Sequence, residues 1–116
     1  MRSKNAKALA EIAENIAFIR SYGVRVRLDH LRENRETFYA VTRALEIISE
    51  ASRQLTDDLT ARHPTVPWPQ VRAAGNVYRH EYRYTLVEYV MLAATTWLDT
   101  LETAIQVELE RIDGLP

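Results

Sequence analysis

Between residues 72 and 83 the sequence places three arginines, an asparagine and a histidine where one helix face would gather them. On a helix of 100° per residue with His80 set at zero, Asn76 falls at about −40°, Arg83 at about −60°, Arg72 at about −80° and Arg79 at about −100°. No carboxylate shares that arc, because Glu81 lies outside it. The chemistry such an arc could do is metal-free cleavage of RNA. A 2′-hydroxyl must lose a proton as it attacks the neighbouring phosphorus, and an imidazole titrating near neutrality is the usual acceptor. Charge then builds on the non-bridging oxygens, which a guanidinium fork can meet in bidentate fashion. Asn76 could orient the phosphate or the imidazole. One histidine performs one proton transfer, so the acid for the leaving group would come from a second His80 across a symmetric dimer. The same spacing also suits a solvated helix face, and spacing alone leaves both readings open.

The elements that must carry this arc read as all-α. Glycine occurs three times in 116 residues, and no β-branched run alternates with a period of two. The first helix is expected from Lys4 to Tyr22, where Leu9, Ile12, Ile16 and Ile19 step by three and four and Gly23 follows as a C-terminal cap. An arginine-rich connection over 23–34 has room for a short turn of helix. The second helix is expected from Arg35 to Ala61. Its main apolar seam is Phe38, Val41, Leu45, Ile48, Ser52, Leu55 and Leu59, and a second seam of smaller residues runs through Ala40, Ala44, Ile47 and Ala51. Two seams imply two neighbours and a central position. Pro64, Pro67 and Pro69 must stop that helix and turn the chain. A third helix follows from Pro67 or Pro69 to Tyr82, since proline suits a first turn. The fourth is expected from Thr85 to Ile112, with Val87, Met91, Ala94, Leu98, Leu101 and Ile105 facing one way. The architecture expected is an antiparallel up-and-down bundle of four to five helices in a single domain spanning 1–116.

Composition limits what the chain could be. Hydrophobic residues make up 47% and charged residues 27%, as in ordinary globular domains. Cysteine is absent, which removes disulfides, thiolate zinc sites and cysteine nucleophiles. The three histidines lie far apart and lack metal-ligand spacing, and Glu46 and Glu50 at i, i+4 have no histidine or aspartate to complete a metal site. No cofactor is expected. Charges interrupt the N-terminus too early for a signal-peptide core, and the uncharged stretch Tyr89–Leu98 is half the ~20 residues of a membrane span, so a cytoplasmic protein without membrane contact is expected. The net charge is −1, yet five arginines stand between Arg20 and Arg35 while six acids against Arg111 alone fill 86–116. A polyanion would therefore bind towards the middle of the sequence. The segment Arg25 to Arg35 could guide RNA or be a charged loop at a helix start. Glu50, beside the small-residue seam, could support Arg79 or His80 across the bundle or be a solvated carboxylate.

Three segments together resemble the HEPN superfamily, and within it the HepT-like toxins. "ALAEIAENIAFIRSYG" looks like that family's first helix and "VTRALEIISEASRQL" its second. "HPTVPWPQVRAAGNVYRHEY" is similar to its Pro-Trp segment leading into the signature. That signature reads Arg, a polar residue, three variable residues, His, one residue, Tyr. Asn76, His80 and Tyr82 occupy the polar, His and Tyr positions, whereas Gly75 stands where the arginine belongs. The resemblance implies a metal-independent endoribonuclease acting as the toxin of a toxin–antitoxin pair. It also implies a minimal nucleotidyltransferase antitoxin as partner, one that transfers AMP to the signature tyrosine, here Tyr82. Arg79, then Arg72, is expected to stand in for the missing arginine, with Arg83 and Glu50 in support. Gly75 equally opens the alternative of a catalytically degenerate module that acts by binding the nucleotidyltransferase.

Overall fold

The structure, a computed structural model, describes residues 4–23, 28–80 and 83–113, with the side chains of 28–29, 77–80 and 83–85 outside that description. Its described residues form seven helices: α1 Lys4–Arg20, α2 Leu28–Glu33, α3 Arg35–Ser52, α4 Asp57–Ala61, α5 Trp68–His80, α6 Arg83–Thr96 and α7 Leu98–Asp113. The four to five helices expected become seven because the short connection is itself helical and two long helices are each interrupted.

The spacing of apolar residues dictates α1 and α3. Leu9, Ile12, Ile16 and Ile19 are all buried, as are Phe38, Val41, Leu45 and Ile48. Asn34 starts α3 by accepting the Thr37 N–H at 2.9 Å, which satisfies one of the donors a helix leaves open at its N-terminus. Gly23 takes a φ of 56°, the left-handed conformation that its lack of a Cβ makes easy after a helix. As the two seams require, α3 packs against both α1 and α5. In the second seam, Ala44 and Ala51 are buried and Ala40 and Ile47 half-buried.

The second helix was expected to run unbroken to Ala61 but ends at Ser52. Polar groups compete for the backbone there. Ser52 Oγ donates back to Ser49 O at 2.6 Å, and Asn5 of α1 clamps Thr56, donating to its hydroxyl at 2.9 Å and accepting its N–H at 3.0 Å. Thr56 is held extended, and Asp57 and Asp58 then begin α4 with negative charge at its N-terminus. Leu55 and Leu59 stay buried across the break.

The fourth helix, expected to be continuous, is divided at Trp97. Thr95 Oγ1 donates to Met91 O at 2.7 Å and Thr96 Oγ1 to Leu92 O, back-bonds that distort a helix at this point. The division is slight, since Trp97 N–H still reaches Ala93 O and Leu101 N–H reaches Trp97 O.

The proline segment is held at both ends. Trp68 Nε1–H donates to the carbonyls of Thr60 and His63, each at 3.0 Å, which fixes the first turn of α5 against α4. His63 Nε2 lies 2.6 Å from Glu108 Oε2, and Arg62 reaches the other oxygen of the same carboxylate at 2.6 Å. No helix among the described residues is long and apolar enough to cross a membrane.

Candidate functional site

The face that α3 turns to α5 is polar at its centre. Ser49 Oγ accepts the Gly75 N–H at 2.9 Å and donates to Arg72 O at 2.9 Å, so one hydroxyl bridges two points on α5. Arg53 Nε adds a second donor to the same Arg72 carbonyl at 3.0 Å. These contacts fix an antiparallel register, with Arg53 at the cap of α3 and Ser49 within it meeting Arg72 and Gly75 of α5 in reverse order. Gly75 is buried in this contact. A Cβ built on it would lie 3.1 Å from Ser49 Oγ and 3.2 Å from Ser49 Cβ, tighter than ordinary packing. Glycine is thus what lets the two helices approach this closely.

Of the residues expected to do chemistry, Asn76 and Arg72 are placed by the structure. Asn76 is exposed on α5, one turn beyond Arg72. Arg72 is half-buried, and its Nε is buried with no hydrogen-bond partner among the described residues. Arg79 and His80 lie on the last turn of α5, and Arg83 begins α6, but their side chains are outside the described residues, as is Tyr82 entirely. Glu50 lies on α3. Its exposed carboxylate faces the groove between α1 and α3, which Lys4, Lys7 and Arg43 also line, and reaches Arg53 at 3.9 Å.

Sequence reasoning missed three participants in this region. None of Ser49, Arg53 and Thr42 was singled out from the spacing. Thr42 lies one heptad before Ser49 on the same face of α3, and its buried Oγ1 has no hydrogen-bond partner among the described residues. The available signal was the repeat Thr42, Ser49 at i, i+7, which sets two hydroxyls on one stripe. Among the described residues no group of three His, Asp or Glu side chains converges as metal ligands would.

A second charged centre lies at the far end of α7. Glu108 is 1% exposed and holds Arg62, His63 and, at 3.5 Å, Arg111. Hydrogen bonding from Arg62 keeps its carboxyl below the usual range, burial opposes that, and the bond to His63 adds to it. This centre anchors the segment that delivers α5.

An apolar groove of about 240 Å³ opens between α5 and α6, lined by Ala73, Ala74, Tyr89, Leu92, Ala93 and Trp97 together with Gln70. Leu92 on its rim is 54% exposed.

Residues 12–108 match the family model described as Ribonuclease HepT-like, and the chain belongs to that family. A protein of Methanocaldococcus jannaschii named "Putative RNase MJ1380" is 30% identical over 110 residues, covering 94% of this chain and 99% of its own length. One of Thermococcus cleftensis named "Probable ribonuclease HepT" is 32% identical over 82 residues, or 71% of this chain and 74% of its own. No solved structure matches the chain.

Proposed function

We propose that this chain is a single-domain, metal-independent endoribonuclease and the toxin-like half of a two-protein system. The observation that carries the reading is the family match, which runs through the Asn76–His80–Tyr82 stretch. The exposure of Asn76 on α5, four residues before His80, supports it.

In this reading the His80 imidazole takes the proton of an RNA 2′-hydroxyl as the oxygen attacks the adjacent phosphorus. The P–O5′ bond breaks, leaving a cyclic phosphate and a 5′-hydroxyl. Asn76 orients the phosphate, and Arg79 or Arg72 holds its non-bridging oxygens, with Arg83 adding positive charge. Protonation of the departing 5′-oxygen comes from the His80 of a second copy in a homodimer. The groove between α5 and α6 supports that assembly, because it leaves Leu92 and Tyr89 exposed beside the helix that carries the site. Tyr82 is the AMP acceptor for a minimal nucleotidyltransferase partner, which would switch the site off.

The test is cleavage of single-stranded RNA by the purified protein. His80→Ala is expected to lose about 10²–10⁴-fold in rate, and EDTA to change nothing. An unmodified protein that leaves RNA intact would refute the nuclease reading.

Gly75 favours one alternative, a degenerate module that acts by binding its nucleotidyltransferase. The family's arginine position is occupied here by a glycine buried against Ser49. In that case the purified chain binds the nucleotidyltransferase and cleaves nothing, with or without His80.

A further inference from the structure

Tyr39 of α3 is 57% exposed, the most open of the large apolar side chains among the described residues. Its ring is steadied by a tilted contact with the buried Phe38, the centroids lying 5.7 Å apart. Arg35 and Arg43 stand four residues before and four after it, so they flank it along one exposed stripe of the helix. Arg43 is 67% exposed while its partner Glu46, at 3.2 Å, is only 19% exposed, so the guanidinium is the outward end of that pair. An aromatic ring between two cations is a surface on which a nucleobase can stack while guanidiniums meet the phosphates on either side.

The Ser49–Gly75 contact sets the side to which this stripe faces. At 100° per residue from that contact, Arg35, Tyr39 and Arg43 stand at about +40°, +80° and +120° on α3. On α5 the helix positions of Asn76 and His80 stand at about +100° and +140°. Because the two helices run antiparallel, angles of one sign fall on one side of the pair. The negative side is core on both, with Val41, Leu45 and Ile48 of α3 and Val71 of α5 buried there. The positive side is open, and Asn76 is exposed on it. Tyr39 thus shares a face with the signature stretch, and it shares an end as well. His80 is five residues beyond Gly75, or about 7.5 Å, and Tyr39 ten residues before Ser49, or about 15 Å in the same direction. With helix axes about 9 Å apart, the two helix positions are separated by roughly 12 Å. We infer that Tyr39 is a stacking platform for a base of single-stranded RNA beside the cleavage site, with Arg35 and Arg43 on the adjoining phosphates. The inference rests on the RNA-cleaving reading and gives its substrate a path across α3.

The experiment measures binding of a short dye-labelled single-stranded RNA to the full chain, in the His80→Ala background so that the probe stays intact. Tyr39→Ala is expected to weaken binding by roughly 5- to 150-fold, the range for the loss of one stacked base. Tyr39→Phe keeps the ring and should bind as its parent does. On an abasic strand of the same length, Tyr39→Ala and its parent should bind alike, because no base remains to stack. Val107→Ala is the control, since Val107 is 41% exposed on α7, whose main neighbours are α1 and α6; it should change nothing. An unchanged affinity in Tyr39→Ala would overturn the inference, and so would a loss that persists on the abasic strand or recurs in Tyr39→Phe. RNA cleavage by the unmodified protein alongside an unaltered Tyr39→Ala affinity would sink the platform alone. An unmodified protein that neither binds nor cleaves RNA would sink the nuclease reading with it.

Discussion

Ser49 and Gly75 are joined by a 2.9 Å hydrogen bond from the glycine N–H to the serine hydroxyl, and the same hydroxyl donates onward to Arg72 O. The residue that departs from the family signature is therefore a packing residue between α3 and α5. Gly75→Arg would place a long cation against Ser49, so it is expected to destabilise the fold by about 1–3 kcal/mol as overpacking does, without restoring a signature. Ser49→Ala should cost about 1 kcal/mol through the lost bridge. Urea midpoints read both. A Gly75→Arg variant as stable as its parent would show that the two helices can part here without cost.

Glu108 makes the fold acid-sensitive. Its carboxyl is held below its ordinary value by Arg62 first and His63 after, against the opposing effect of burial. A group depressed in the folded state stabilises above its unfolded pKa, and that contribution is lost as pH falls through the folded value. The melting temperature is therefore expected to fall on acidification below the usual carboxylate range, and to fall less steeply in Glu108→Gln. At neutral pH that variant should lose on the order of 2 kcal/mol, since charge-assisted hydrogen bonds at a buried carboxylate disappear. Because Glu108 anchors the segment before α5, RNA cleavage should weaken in parallel.

The AMP acceptor can be read by mass. Co-expression with a nucleotidyltransferase partner should raise the intact mass by one or more AMP units. Tyr82→Phe should abolish the gain while the circular dichroism spectrum is unchanged, because only a hydroxyl is removed. A gain that persists would direct the search to Tyr84 or Tyr78.

The dimer can be tested at its proposed surface. Leu92 is 54% exposed at the rim of the α5–α6 groove, so Leu92→Asp leaves the core untouched while placing a charge on the apolar face. Light scattering at micromolar concentration should give a dimer for the parent and a monomer for the variant, and cleavage should fall with dimer content. A parent that is monomeric and active would remove the second His80 from the mechanism.

The bundle itself was written in local spacing. Leu9, Ile12, Ile16 and Ile19, and Phe38, Val41, Leu45 and Ile48, repeat at three and four residues, and a helix turns such a repeat into a buried stripe whatever it packs against. The prolines before α5 and the central place of α3 followed from the same short-range rules, and the His80 stretch was recognisable as a motif because its residues are neighbours in sequence. What the sequence left open depends on pairs far apart along the chain. Asn5 interrupts the long second helix by clamping Thr56. Glu108 reaches back 45 residues to His63 and 46 to Arg62. Ser49 meets Gly75 from 26 residues away and so gives that glycine a packing role that its place in the motif did not suggest. Such pairs depend on the register and crossing of packed helices, which the whole set of buried side chains decides together. Periodicity fixes which face of a helix is buried; only the assembled bundle fixes which polar groups meet across that face.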